Sequence, residues 1–264
     1  MNQDVSVASE EKVLELLQTG QTANVNLALL LAKSNCINLD LSAYQALYKW
    51  LDFFVDQAET CLQKKLKTLF ELTKINLDCA HIHQRFMPKH IGLLVHLEGL
   101  FFSLNGLKQL PQSIVQLSAL KNLHLCYNYL TKLPKNFQQL QQLEVLKLSH
   151  NQFRSCPRSI AKLVSLKRLD LANNQISRLP RSIGQLQQLE VLNLAHNNIS
   201  QLPNEIAYLQ QLTRLDLSGN YLSQLPSALS QMKQLRWLDI SDNPIDKKQV
   251  VKLQEQLPKC LLLY

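Results

Sequence analysis

The sequence is poor in glycine and in charged residues, and it lacks the short motifs of the common enzyme classes. It has 6 glycines and 18% charged residues in a chain of 264 residues, of which 46% are hydrophobic. Disordered chains carry more charge and fewer apolar side chains, so this composition predicts a folded protein. None of the motifs GxxxxGK[ST], GxSxG, HExxH and GxGxxG occurs. We therefore expect no enzymatic activity, no cofactor, no bound metal and no small-molecule substrate.

The sequence also lacks a long apolar run and a cysteine pattern. Its longest apolar run, Leu27–Ala32, is far too short to span a bilayer. The first twelve residues hold three acids and no apolar run, unlike a secretory signal. The six cysteines are scattered and form no CxxC pair, which is typical of a reduced compartment: Cys36, Cys61, Cys79, Cys126, Cys156 and Cys260. We predict a cytoplasmic protein without a transmembrane segment.

One repeated frame fills most of the chain. The pattern LxxLxLxxNxLxxLPxxIxxLxx recurs every 23 residues without insertion, in copies that open at Leu97, Leu120, Leu143, Leu166, Leu189, Leu212 and Leu235. A fixed period of this length indicates structural units stacked in a row rather than a closed globule. Positions below are counted from the opening leucine of each copy, and each copy is called a rung.

The frame resembles the leucine-rich repeat family, in the LPxxI subtype of Ras-suppressor and Scribble-like proteins and of many bacterial arrays. The resemblance implies an α/β solenoid, a horseshoe with a parallel sheet on its concave face. It also implies a non-catalytic protein-binding scaffold or adaptor, with small GTPases and other signalling proteins among the partners of the class. The partner itself is not identified, and we expect a monomer.

Four regions follow from the pattern. We predict a helical N-terminal cap over residues 1–70 and a degenerate first repeat over residues 71–96, where two extra residues lie between Ile82 and Pro88. Regular repeats follow over residues 97–246. A C-terminal cap takes residues 247–264, with a helix capped by Asp246 and a final apolar strand. In the degenerate repeat, the alternating Cys79, His81 and His83 could ligate zinc, but no fourth ligand is evident.

Position 9 is asparagine in every rung. A tight turn exposes backbone groups that must be paired, and an asparagine side chain can both donate and accept. We therefore assign a structural ladder that bridges neighbouring rungs: Asn105, Asn128, Asn151, Asn174, Asn197, Asn220 and Asn243. Proline at position 15 should hold the descending chain extended.

Function must use the variable positions, above all positions 3, 5 and 7, which alternate with the leucines and face outward from the sheet. Position 7 is almost always small, which would leave the sheet open to a partner. Aromatic residues and arginines at positions 3 and 5 are typical interface anchors. We predict a concave partner-binding face formed by Phe101, His124, Lys147, Arg168, Asp170, Asn193, Arg214, Asp216, Trp237 and Asp239. The neighbouring Asp216 and Asp239 are interpreted as part of an ion-pair network rather than as a catalytic pair.

Two alternatives remain open. The N-terminal helices could be a separate module, through which the protein regulates an enzyme or a GTPase. Positions 12, 13 and 16 also form a basic strip, which we interpret as a solvated, solubilising face. The alternative is that it binds nucleic acid or anionic lipid, although the absence of interleaved aromatic residues argues against base stacking. The basic strip comprises Lys108, Lys132, Lys135, Arg154, Arg158, Arg178 and Arg181.

Overall fold

The chain forms one parallel sheet in a computed structural model that describes residue 46, residues 73–78 and residues 86–264. Nine strands, β1 to β9, lie side by side in chain order. Their bounds are Lys74–Asn76, Gly99–Phe101, Asn122–His124, Val145–Lys147, Arg168–Asp170, Val191–Asn193, Arg214–Asp216, Trp237–Asp239 and Leu261–Leu263. This open stack of parallel strands is the solenoid that the repeat predicted.

The register of the sheet follows the sequence period. From β2 to β8 each residue pairs with the residue 23 positions later, as in Leu123 with Leu146. β1 pairs with β2 at an offset of 25, because Lys74 lies opposite Gly99. The two extra residues noted between Ile82 and Pro88 account for this difference. Identical positions therefore stack in columns across the sheet.

The leucine columns form the core. At β3, for example, Leu123 and Leu125, the first residue after the strand, are both 0% exposed, because alternate side chains of extended chain point to the same side. Mostly leucine and isoleucine at positions 11, 14, 18 and 21 close the opposite wall. Phenylalanine replaces the usual residue at position 6 (Phe102), position 18 (Phe137) and position 11 (Phe153), and all three rings are fully buried. Each fully buried side chain of this size contributes about 1.5–3 kcal/mol.

Short 3₁₀ turns, not long helices, form the outer wall. They span Ile91–Leu93, Gln112–Gln116, Phe137–Gln139, Ile160–Lys162, Arg181–Gln185, Asn204–Tyr208 and Ser227–Gln231. Pro111, Pro180, Pro203 and Pro226 each precede a turn with an extended backbone, ψ 135° to 147°. The prolines thus have the backbone conformation that the sequence predicted for position 15.

Position 8 adopts a left-handed backbone in every regular rung. Its φ lies between +52° and +62° at Leu104, Tyr127, His150, Asn173, His196, Gly219 and Asp242. This turn redirects the chain away from the sheet directly before the ladder asparagine. Only Gly219 adopts it without the steric cost that a Cβ brings. The sequence gives no sign of this left-handed conformation, because six of the seven residues are not glycine, the residue that usually adopts it.

The C-terminal elements complete the described chain. Helix α1, Lys247–Gln256, begins after Asp246, whose side chain accepts a hydrogen bond from the Lys248 amide at 2.8 Å. Val250 and Leu253 face inward, and β9 extends the sheet beyond β8. Cys260 is buried, as a small apolar side chain would be. The helix and strand lie where the sequence placed them, while their role as a cap stays a prediction.

Several predictions fall outside the described residues. These are the helical cap over residues 1–70, apart from residue 46, and the cluster of Cys79, His81 and His83. Within the described ranges, no group of three or more His, Cys, Asp or Glu side chains could hold a metal ion. No helix there is long and apolar enough to cross a membrane.

Candidate binding face

The ladder asparagines are occupied by the fold. Asn128 Oδ1 accepts a hydrogen bond from the Leu107 amide at 2.8 Å, and its Nδ2 donates to the carbonyls of Phe102 and Leu125 at 2.9 and 3.0 Å. The same pattern repeats from Asn151 to Asn243. From Asn128 to Asn243 both ends of each amide are used within the chain, so these positions offer nothing to a partner. Asn105 donates to the carbonyls of Leu77 and Ser103 at 2.8 Å, and its buried Oδ1 has no hydrogen-bond partner among the described residues.

The ten predicted face residues lie in two adjacent columns of the sheet. Phe101, His124, Lys147, Asp170, Asn193, Asp216 and Asp239 pair in order at position 5, and Arg168, Arg214 and Trp237 lie at position 3. None of the ten is buried, and Arg168 and Arg214 are exposed. The structure therefore brings all of them onto one accessible face.

Acids and amides at position 5 also have a local structural role. The Oδ1 atoms of Asp170, Asn193 and Asp216 each accept a hydrogen bond from the backbone amide two residues later, at 3.1 Å. Asp239 makes the same bond at 2.9 Å, and Asn76 makes it in the degenerate first repeat at 3.1 Å. In Asp170, Asp216 and Asp239 one carboxylate oxygen is thus fixed at the end of the strand, and the other makes no hydrogen bond among the described residues.

The expected ion-pair network at Asp216 and Asp239 is not observed. Asp216 Oδ1 also accepts from the Ser218 hydroxyl at 2.7 Å, and Asp239 Oδ1 accepts from Ser241 at 2.6 Å. Among the described residues, no ion pair includes either aspartate. The serine hydroxyls two residues along the chain are closer partners than any arginine in the neighbouring column.

The two arginines at position 3 have different surroundings. The Arg214 guanidinium lies 4.0 Å from the centre of the Trp237 ring on the next strand, within the range of a cation–π contact. Arg168 is flanked in its column by Val145 and Val191, which are too small to cover it. Trp237 is therefore partly covered by Arg214, while Arg168 extends into solvent.

A shallow concavity lies at the centre of this face. It has a volume of about 430 Å³ and is lined by Lys147, Arg168, Leu169, Asp170, Val191, Leu192, Asn193, Arg214 and Asp216. Arg168 and Arg214 lie on either side of Val191, and Asp170 and Asp216 lie on either side of Asn193. The floor is apolar or neutral and both edges are charged, a pattern that suits an interface with a polar rim.

Aromatic rings cover the face at its N-terminal end. The Phe101 ring lies edge-on to His124, with ring centres 4.5 Å apart, and Tyr127 stacks on His150 at 3.9 Å. Partial burial, with the nearby charge of Lys147, lowers the pKa of His124. Burial raises the pKa of the Cys126 thiol, which accepts a hydrogen bond from Ser149 at 3.2 Å. The thiol therefore stays protonated at neutral pH and is a poor nucleophile.

Position 7 contributes less surface than the sequence suggested. Ser149, Ala172 and Ala195 are 8%, 5% and 6% exposed. These short side chains do not emerge between the longer ones at positions 5 and 8 of adjacent rungs. In these three central rungs the accessible face is therefore formed by positions 3 and 5, whereas position 7 is partly exposed at Ser103, Cys126, Ser218 and Ser241.

Sequence reasoning missed a charged column at position 2. Lys121 pairs with Glu98 at 2.9 Å, and Lys167 pairs with Glu144 at 3.0 Å. The hydrogen bond from Lys121 lowers the pKa of Glu98, and the same bond raises the pKa of Lys121. The sequence could have predicted these pairs, because each acid lies 23 residues before a lysine, one full repeat away.

The basic strip lies outside the concave columns. All seven of its side chains are exposed. In the described part of the chain, its only ion pair joins Arg181 Nε to Glu205 at 3.7 Å. Six of the seven cations of the basic strip therefore form no ion pair with another described residue.

Comparison of the sequence with known protein families identifies the same repeat. A protein-family model described as a leucine-rich repeat region matches residues 150–259. A second family model, described as a leucine rich repeat, matches residues 118–176. Together they cover more than half of the sequence. The chain belongs to the leucine-rich repeat family. No curated protein matches it.

Two solved structures show the same fold. A leucine-rich repeat protein of Leptospira interrogans is 33% identical with a TM-score of 0.57, covering 68% of this chain and 52% of its own. PEPR1 in the PEPR1–AtPEP1 structure is 26% identical with a TM-score of 0.60, covering 67% of this chain and 26% of its own. This chain thus spans about half of the first protein and a quarter of the second. The ectodomain of the Arabidopsis thaliana receptor kinase GASSHO1/SCHENGEN3 is 31% identical, with a TM-score of 0.48 and coverages of 61% and 23%.

Proposed function

We propose that the protein is a non-catalytic interaction scaffold that binds a protein partner on its concave face. The observation that supports this most directly is the central concavity. It joins exposed arginines, fixed carboxylates and an apolar floor on paired strands that repeat in register. A surface held by the sheet loses little conformational entropy on binding, which favours affinity.

The neighbouring structures support the same role. Leucine-rich repeat proteins are typically interaction scaffolds, and PEPR1 was solved in a complex with AtPEP1. For this chain the partner is proposed to be a protein segment that carries both acidic and basic groups, because the concavity offers both signs. A role in intracellular signalling, a cytoplasmic location and a monomeric state are part of the proposal.

Affinity capture from the native cell lysate tests the proposal. The bait proteins are the wild type, an Arg168→Ala/Arg214→Ala variant, and a matched Arg154→Ala/Arg178→Ala variant on the basic strip. Each double variant removes two exposed arginines, so the change in net charge is matched, and circular dichroism checks that both variants keep the wild-type fold. A partner of the concave face is captured by the wild type and the matched variant and is depleted from the Arg168/Arg214 variant. Equal recovery by all three baits would contradict the proposal.

A further inference from the structure

The positive charge of the chain is concentrated in its first four regular rungs. Residues 97–188 hold twelve Lys and Arg against three Asp and Glu, a balance of +9, whereas the whole chain has a net charge of +8. Two of the three acids, Glu98 and Glu144, are already paired with Lys121 and Lys167 at the position 2 edge. This localisation points to a partner that is recognised through negative charge.

The basic strip has a uniform chemical surface. At positions 12 to 16 of these four rungs, every exposed side chain is either one of the seven cations or a neutral hydrogen-bonding group: Gln109, Gln112, Thr131, Ser155 and Ser177. No acid and no aromatic residue occurs there. In the following two rungs the same positions are neutral, so the strip ends at Arg181.

These features fit phosphates better than other anionic groups. Lysine and arginine with interleaved hydroxyl and amide side chains are the residues that contact the phosphates of a nucleic acid. The absence of aromatic residues leaves no platform for stacking unpaired bases. The absence of large exposed apolar side chains leaves nothing to insert into a bilayer. The basic strip is therefore suited to contact the phosphate backbone of a nucleic acid without recognising its base sequence.

The dimensions favour a duplex over a single strand. Strands lie about 4.8 Å apart, so four rungs span about 14 Å of the sheet. Duplex DNA carries one charge per ~1.7 Å of its axis, or about eight charges over that length, whereas one strand carries about four. The seven cations of the strip are closer in number to the roughly eight phosphate charges of the duplex than to the roughly four of a single strand. We propose that the basic strip binds the phosphate backbone of double-stranded nucleic acid, independently of sequence and of the concave face.

Fluorescence anisotropy with a labelled 20-base-pair DNA duplex tests this. The strip variant is Lys132→Gln/Arg154→Gln/Arg178→Gln, and the matched control is Lys248→Gln/Lys252→Gln/Lys259→Gln near the C-terminus. All six side chains are exposed, and each variant loses three positive charges. Circular dichroism checks that both keep the wild-type fold. Titrations run from 50 to 200 mM salt, with the single strand and phosphatidylserine vesicles as parallel probes.

Wild type should bind the duplex with a slope of log affinity against log salt near −6, which is about −0.9 for each of seven contacts. The strip variant should lose roughly tenfold or more in affinity at 50 mM salt, and its slope should fall by about 3 units. The control should stay within about twofold of wild type, since its charges lie off the strip. Equal losses in both variants, tighter binding to the single strand, binding only to vesicles, or no binding to the duplex would overturn the proposal.

Discussion

At the scale of single residues, the ladder asparagines make buried hydrogen bonds that join neighbouring rungs. We predict that Asn151→Ala lowers the free energy of unfolding by about 1–3 kcal/mol, the cost of an unpaired buried donor. The substitution leaves the Leu130 amide without its acceptor. It also removes one of two donors from the carbonyls of Leu125 and Leu148, which keep the side chains of Asn128 and Asn174. Denaturant unfolding followed by circular dichroism measures the change.

Gln152→Ala is the matched control for that measurement. Gln152 is adjacent and exposed, and its side chain makes no hydrogen bond among the described residues. A change within about 0.5 kcal/mol is expected there. If both variants lost the same stability, the asparagine column would not be the ladder described above.

His124 should make the N-terminal rungs sensitive to acid. Its pKa is lowered in the folded chain by partial burial and by Lys147, so the folded state binds the proton less well than the unfolded state. The associated stability is present above the unfolded pKa, about 6.5, and is lost as pH falls through the lower folded value. We expect the midpoint of unfolding to fall between pH 7 and pH 5, and to fall less in His124→Gln. An equal fall in both proteins would show that other groups cause it.

At the scale of elements, the 3₁₀ turns pack closely enough to require glycine at two positions, Gly92 and Gly184. A Cβ on Gly184 would lie 2.5 Å from the Glu205 carbonyl oxygen and 3.2 Å from the Tyr208 Cβ, both in the next turn. Gly184→Ala should therefore destabilise the protein by about 1–3 kcal/mol, measured by thermal unfolding.

The neighbouring rung provides the control for this prediction. Ala161 occupies the same position 19 and is 1% exposed, so an alanine fits where the next turn leaves room. Ala161→Gly should cost no more than about 1 kcal/mol. A Gly184→Ala variant as stable as the wild type would mean that adjacent turns separate without cost.

The elements also show where sequence reasoning succeeds and where it stops. The 23-residue period predicted the strands because LxL alternation and the stacking of leucines are local properties of the frame. The ladder was equally readable, since Asn128 and its equivalents recur at one position. The left-handed turn at Leu104 and Tyr127 was not readable, because the fold imposes that conformation on residues that do not prefer it.

The candidate face was predictable in position but not in its internal contacts. Alternation placed Arg214, Asp216 and Trp237 on the accessible side. Whether Arg214 covers Trp237, and whether Asp216 bonds to Ser218 or to an arginine, depends on rotamers and on distances between strands. The outcome of this competition between short-range contacts cannot be deduced from the residue types at one position of the repeat.

At the scale of the whole molecule, the solenoid separates three surfaces. The concave face carries both charges around a shallow concavity, the basic strip carries one sign, and the 3₁₀ wall is mostly neutral. Since the leucine, asparagine and proline columns are committed to the fold, we expect differences between rungs at positions 3 and 5 to define the proposed binding face. A partner of that face should respond to changes in those columns and not to equal changes elsewhere.

Isothermal titration of the captured partner against paired single variants tests that expectation most directly. Arg168→Ala truncates an uncovered arginine of the concavity, and Arg154→Ala truncates an exposed arginine of the basic strip. We predict that Arg168→Ala weakens binding by roughly 5- to 30-fold, or about 1–2 kcal/mol, while Arg154→Ala leaves the dissociation constant within about twofold. Equal affinities for the two variants, or a loss confined to Arg154→Ala, would contradict it.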